Sequence, residues 1–268
     1  MSYNILGVNP FHNGSICVLS DGERLTRQKY DELPFKSILN IIQKYKIDAI
    51  AIAGINTTNL ITPISQENLL FSFFRKLGFP PSFIIDYSKN HHLTHISMAF
   101  PNSGFKEAVG IVIDSGGSSI DIPNTYYTEA DSIFLCKSPT QIKIISQNFL
   151  DGMSKVFNIG HSFEKLCSYF NFGSLDGGKI MGLSSYGNPN NNIPPLFKDN
   201  NTTPSPFKKY FLDGYNTEWH SNESKITDLE KDLAWKLQTE SQTILGNYVE
   251  KAIQETKLNN VVIAGGYG

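Results

Sequence analysis

Three histidines crowd into one short stretch, His91-His92-Leu93-Thr94-His95. If the segment is helical, His91 and His95 stand four residues apart and project from one face, as two imidazole ligands of one metal ion would, while His92 points elsewhere. Asp114, a carboxylate at the end of a buried strand, is a natural third ligand. Two histidines and one carboxylate suit Fe(II), with zinc as the usual competitor, and leave coordination positions open to a substrate. A polar helix surface with capping residues produces the same spacing, so spacing alone leaves both readings standing. A second candidate is His12, in the loop Asn9-Pro10-Phe11-His12-Asn13-Gly14-Ser15. An imidazole with its ordinary pKa of about 6.5 can act as a general base near neutral pH, although a lone loop histidine is more often simply solvated. Three glycine-rich turns complete the set: Asp114-Ser115-Gly116-Gly117, Gly177-Gly178-Lys179 and Ala264-Gly265-Gly266. Each lets backbone N–H groups approach an anion, and Lys179 adds a positive charge. None matches a standard phosphate-loop pattern, and taken singly each also reads as a tight turn after a strand.

The elements around these residues follow from periodicity. Tyr3 to Val8 and Ser15 to Leu19 read as strands, Asp21-Gly22 as a hairpin turn, and Glu23 to about Arg27 as a third strand. Ile38, Ile41, Ile42 and Tyr45 recur at helical spacing, Ala49 to Ala53 is a buried strand, Leu69 to Leu77 is a helical stripe, and Phe83 to Asp86 is again a strand. The pattern then restarts. Val109 to Ile113 is a buried strand, hairpin strands are expected at 125–128, 133–137 and 142–147, and Ser154 to Phe170 reads as a helix. Asn188 to Asn222 is a loop-rich insertion. Thr227 and Glu230 form a capping box ahead of a long helix, and Val261 to Ala264 is a strand entering Gly265-Gly266. Strands followed by alternating helices imply a mixed sheet with helices packed on it, here twice. Two such halves facing each other are what a nucleotide-clamping cleft needs.

Composition excludes several classes. The chain has 268 residues, 40% hydrophobic and 18% charged, with a formal net charge of −2. That is no profile for a disordered chain, and no global field advertises nucleic acid or an anionic membrane. The longest apolar stretches fall far short of the roughly 18 residues that a spanning helix requires. No positively charged start precedes an apolar run as a signal peptide would require, and Cys17, Cys136 and Cys167 form no pairing pattern; a cytoplasmic protein is expected.

Taken in order, these segments resemble the O-carbamoyltransferase family, whose members carbamoylate hydroxyls of antibiotics and nodulation factors. The resemblance runs through Ile5-Leu6-Gly7-Val8-Asn9, Phe11-His12-Asn13-Gly14-Ser15 and Glu23-Arg24-Leu25-Thr26-Arg27-Gln28-Lys29. It continues in His91-His92-Leu93-Thr94-His95 with Ala99-Phe100, and in Val112-Ile113-Asp114. Gly178-Lys179-Ile180-Met181-Gly182-Leu183 with Tyr186-Gly187, and Ala264-Gly265-Gly266, complete it. The resemblance implies an α/β fold of two ribonuclease-H-like (actin- or sugar-kinase-like) subdomains around a cleft, at 1–104 and 105–268, the second holding the 188–222 insertion and left incomplete. It implies His12 as the base and His91, His95 and Asp114 as metal ligands. It also implies Asp114, Gly116, Gly117, Lys179, Gly265 and Gly266 as nucleotide contacts. The implied reaction moves a carbamoyl group from carbamoyl adenylate, itself made from carbamoyl phosphate and ATP by a further domain, onto a hydroxyl of a small-molecule acceptor. Asn13 stands where the family usually has Asp, Gly14 where it has Ala, and Tyr30 where it has His. The end at Gly268 implies a fragment or split enzyme that associates with a complementary carboxy-terminal polypeptide or with itself. A non-catalytic nucleotide-binding module is the alternative. A threonylcarbamoyl-transfer protein shares the implied fold, but the balanced charge argues against an RNA partner.

Overall fold

The computed structural model describes residues 2–10, 14–30, 35–54, 66–122, 125–139, 141–151, 158–173, 176–197 and 226–268. His12 and Asn13, the greater part of the 188–222 insertion, and the expected helix start at 154–157 lie outside them.

The first sheet begins as the sequence predicts. β1 (Asn4–Asn9) and β2 (Ser15–Ser20) pair antiparallel, and β2 pairs β3 (Glu23–Lys29) across Asp21-Gly22. Both turn residues have positive φ, +50° and +89°, the backbone that a type I′ hairpin demands. β4 (Ala49–Ile52) and β5 (Ile84–Asp86) then add in parallel beside β1, giving the order β3-β2-β1-β4-β5. This is the strand order of a ribonuclease-H-like unit. Leu6, Val8, Ile16, Val18, Ile50 and Ile52 are buried, and they pack with Ile38 and Ile41 of α1 (Phe35–Lys44) and Leu70 and Phe74 of α2 (Gln66–Lys76).

The second sheet repeats the arrangement. β6 (Glu107–Ile113) is its centre, antiparallel to β8 (Thr125–Lys137) on one side and parallel to β10 (Val261–Ala264) on the other. β9 (Gln141–Asp151) pairs β8, and the short β7 (Ser119–Ile122) joins the same sheet. In chain order the first, second, third and fourth principal strands occupy the same relative places as in the first sheet. One face carries the larger core: Val109, Ile111 and Ile113 of β6 with α4 (Ile159–Tyr169), α5 (Gly177–Ser184) and the 29-residue α6 (Asp228–Thr256). Against the other face lies α3 (His91–Asn102), where Ile96 faces Gly110 so closely that a Cβ on Gly110 would fall 2.5 Å from Ile96 Cδ1.

Three expectations are corrected. The separate strands expected at 125–128 and 133–137 are one strand, β8, which runs on through a register shift between Glu129 and Asp131. A bulge absorbs the extra residue, so a polar interruption in the pattern does not end the strand. The helix expected from Ser154 begins at Ile159, because Asn158 is extended (φ −79°, ψ −178°) and caps it. Gly177-Gly178-Lys179, read as a turn, is the first turn of α5. Contacts divide the chain into two compact units, Met1–Thr94 with Gly117–Asp121, and His95–Gly116 with Ile122–Gly268. Among the described residues no helix is long and apolar enough to cross a membrane.

Candidate functional site

The histidine stretch is helical. α3 carries His91 and His95 one turn apart on one face, while His92, about 100° round from His91, is fully buried. Ile96 and Phe100 anchor the helix in apolar surroundings, and the glycine at 110 lets α3 lie close to β6.

At the carboxyl end of β6 stands Asp114. Its Oδ2 is 3.1 Å from His95 Nε2, with both side chains largely screened from solvent. Its Oδ1 accepts the Ser115 N–H at 2.8 Å, so one oxygen is committed to the turn and the other faces the imidazole. The backbone beneath is also held. Asn158 Nδ2 donates to the Asp114 carbonyl at 2.7 Å and to the Ala130 carbonyl at 3.1 Å, while Asn158 Oδ1 accepts the His161 N–H at 2.7 Å. One buried amide therefore joins the start of α4 to the end of β6 and to β8 at its register shift. Close backbone approach makes glycine necessary around this point. A Cβ on Gly160 would lie 2.3 Å from Ser115 N, and one on Gly266 would lie 2.8 Å from Asp114 Oδ1. Gly265 has φ +102° and would place a Cβ 2.2 Å from the Ile113 carbonyl oxygen, so both its conformation and its space exclude a side chain. Asp114 and Gly265 follow neighbouring parallel strands at their carboxyl ends, where open α/β sheets commonly seat ligands.

His91 is held at two atoms. Its backbone N–H donates to Ser118 Oγ at 2.9 Å, and its Nδ1 lies 3.2 Å from the Gly54 carbonyl oxygen. A carbonyl can only accept, so Nδ1 is the donor in this contact, and the neutral tautomer it selects leaves the lone pair on Nε2. His91, His95 and Asp114, all half-buried, are a group of donors that could hold a metal ion. Two imidazoles and a carboxylate are the chemistry of a borderline transition-metal site.

The remaining predicted residues fall as follows. Gly116 and the buried Gly117 follow Asp114 after Ser115, and Gly265 and Gly266 reach the same turn. Lys179 sits in the first turn of α5, with Nζ 2.7 Å from Asp176 Oδ2 and over the Phe172 ring at 5.5 Å. Sequence reasoning missed Ser118, Asn158 and Gly160, and also two titratable groups on α4. Burial, reinforced by Lys165, lowers the His161 pKa to about 4, so the ring is neutral at neutral pH. Burial raises Glu164, against a hydrogen bond with Ser115. The signal available for Asn158 was its type alone, a good helix cap with no apolar residue pattern before it.

The family described as carbamoyltransferase N-terminus matches residues 83–268. Over 281 aligned residues the chain is 26% identical to the uncharacterized protein MJ1051 of Methanocaldococcus jannaschii, covering 98% of this chain and 50% of that protein. It is 27% identical over 208 residues to the nodulation protein NolNO of Sinorhizobium fredii, covering 66% of this chain and 28% of that protein. The chain thus spans about half the length of one curated relative and less of the other. Among solved structures, the Lmo2764 protein of Listeria monocytogenes is 12% identical with a TM-score of 0.41, covering 100% of this chain and 84% of its own. A ROK family protein from Streptococcus pneumoniae is 11% identical, also with a TM-score of 0.41, covering 100% and 93%.

Proposed function

The chain belongs to the carbamoyltransferase amino-terminal family, and from that premise we propose that it is the metal- and nucleotide-binding part of an O-carbamoyltransferase that delivers carbamoyl from carbamoyl adenylate to a hydroxyl of a small-molecule acceptor. The observation that carries the metal is the pairing of His95 Nε2 with Asp114 Oδ2 at 3.1 Å, one helical turn from His91. The donor set fits Fe(II), with zinc the competitor, and His91 Nδ1 already has the carbonyl partner that metal-ligating histidines usually keep. When bound, such an ion supplies Lewis-acid polarisation of an oxygen on the carbamoyl or phosphate group.

The chain's own residues do the rest. The turns at Gly116-Gly117 and Gly265-Gly266 offer backbone N–H groups to the adenylate without side-chain bulk, and Lys179 supplies a cation for its phosphate. The acceptor oxygen attacks the carbamoyl carbon, the bond from that carbon to the AMP oxygen breaks, and the hydroxyl proton passes to the imidazole of His12. A base so placed contributes typically about 10²–10⁴-fold, so His12→Ala cripples turnover while leaving nucleotide binding in place.

The test is metal content. The purified wild-type chain, reconstituted with Fe(II) or Zn(II) and desalted, is expected to retain close to a full equivalent, and His91→Ala and His95→Ala to lose it. A wild-type chain that retains less than about a tenth of an equivalent at neutral pH, where imidazoles are free to ligate, would falsify the metal assignment.

A further inference from the structure

The first turn of a helix has backbone N–H groups with no partner inside the helix, so its first residues fray unless something outside accepts from them. His91 is the first residue of α3. An acceptor for its N–H comes from far along the chain: Ser118 Oγ, at 2.9 Å. Ser118 is buried, and the same hydroxyl donates to the Ser88 carbonyl at 2.8 Å. Ser88 belongs to the turn that leads into the helix, in which the Ser88 N–H is held by Asp86 Oδ1 and the Asn90 N–H by the Tyr87 carbonyl. One hydroxyl therefore accepts from the helix start and donates to the turn before it.

We propose that Ser118 is a positioning residue for the His91 ligand, fixing the first turn of α3 so that the His91 ring stands ready for an ion. The inference rests on the metal reading above and extends it to a residue that touches neither the ion nor substrate. His91 sits at the frayable end of its helix, whereas His95 lies a full turn inside. Its ring is steered through Nδ1, 3.2 Å from the Gly54 carbonyl oxygen, a contact that holds only if the backbone of His91 stays in place. Chemistry supports a serine here: the position needs a short group that accepts and donates at once, and a methyl can do neither.

The experiment compares wild type, Ser118→Ala, Ser118→Cys, Ser118→Thr and His91→Ala in the full chain. Dissociation constants for Zn(II) are read by chelator competition, visible spectra by Co(II) substitution, and unfolding midpoints without metal. Ser118→Ala and Ser118→Cys are expected to weaken Zn(II) binding about 10–100-fold, the usual range for a residue that orients a ligand, and to shift the Co(II) bands. Ser118→Thr keeps the hydroxyl and is expected to restore both. Should Ser118→Ala fail to fold, the near-isosteric Ser118→Cys carries the comparison. Lower unfolding midpoints with unchanged affinity and unchanged Co(II) spectrum would assign Ser118 a merely structural role and overturn the inference while leaving the metal reading intact. A wild-type chain that takes up no metal overturns both.

Discussion

Replacing Gly160 by alanine tests how the Asp114 turn is held. Gly160 is the second residue of α4, and its Cβ would sit 2.3 Å from Ser115 N, 2.4 Å from Asp114 C and 2.5 Å from Asp114 O. All three neighbours are backbone, so no side chain can swing aside. To reach ordinary contact the start of α4 must retreat by about 1 Å, and Asn158 moves with it. The Asn158 Nδ2 bonds to the Asp114 and Ala130 carbonyls, now 2.7 and 3.1 Å, then pass beyond hydrogen-bonding range. Overpacking costs about 1–3 kcal/mol, and the two bonds add about 1 kcal/mol each. The better helix propensity of alanine returns about 1 kcal/mol. The net expectation is a loss of about 2–4 kcal/mol, or a fall of roughly 5–15 °C in Tm for a protein of this size. Chemical and thermal unfolding of Gly160→Ala measure the stability, and Zn(II) affinity reports whether Asp114 has moved. Gly178→Ala is the control: Gly178 is also helical, but nothing lies within 4 Å of its Cβ position, so the change is expected to be neutral or stabilising. If Gly160→Ala unfolds at the wild-type temperature with wild-type Zn(II) affinity, the argument that α4 clamps the turn is wrong.

Two further outcomes are expected. Burial raises the Asp131 carboxyl above its ordinary 3.8, against hydrogen bonds with Asn148 and Tyr248. The folded state therefore holds its proton more tightly than the unfolded state. Relative to Asp131→Asn, the wild type is at its most stable below pH 3.8 and loses that advantage as pH rises through the raised value. Urea midpoints of both proteins between about pH 3 and 7 check the sign, and a constant difference would contradict it. Glu240 Oε2 accepts the Leu196 and Phe197 N–H groups at 2.7 and 3.2 Å, tying the segment after α5 to α6. Glu240→Ala strips both buried groups of that acceptor at a cost of about 2–4 kcal/mol, seen in the urea midpoint and in faster amide exchange at 196 and 197. Slow exchange retained there would show that another partner holds the segment.

The sequence carried the first sheet and the histidine pair for the same reason: both are short-range patterns. Alternation in β1 and β2, positive-φ residues at Asp21-Gly22 and the four-residue spacing of His91 and His95 are set within a few positions. The Thr227–Glu230 capping box is likewise local, and both of its hydrogen bonds form. What escaped depends on distant partners. Glu129 and Asp131 interrupt the apolar pattern of β8, yet both are buried, accepting from Gln147 and Asn148 of β9 across the ladder. Gly177-Gly178 has poor helix propensity, but Ile180 is fully buried in the second core, and packing overrides the local preference. Ser118 reaches His91 across 27 residues and Asn158 reaches Asp114 across 44, distances over which periodicity carries no information.

Two physical kinds of glycine occur in the second unit, and the separation bears on the site. Gly178 and Gly182 have open space where a side chain would go, so nothing in the packing of α5 demands them. Gly265 and Gly266, together with Gly160, are forced by backbone and carboxylate atoms of Ile113, Asp114 and Ser115. Two segments remote in sequence thus converge on one strand end and leave it almost no freedom. The consequence falls on Asp114. With Oδ1 committed to Ser115 and the carbonyl to Asn158, Oδ2 is the oxygen that faces His95. A carboxylate oriented this way by its own chain needs little reorganisation to take up an ion, since its ordering is complete before binding. Crowding by glycine and orientation of the aspartate are therefore one design: the closer the backbones pack at this strand end, the fewer directions Asp114 Oδ2 can point.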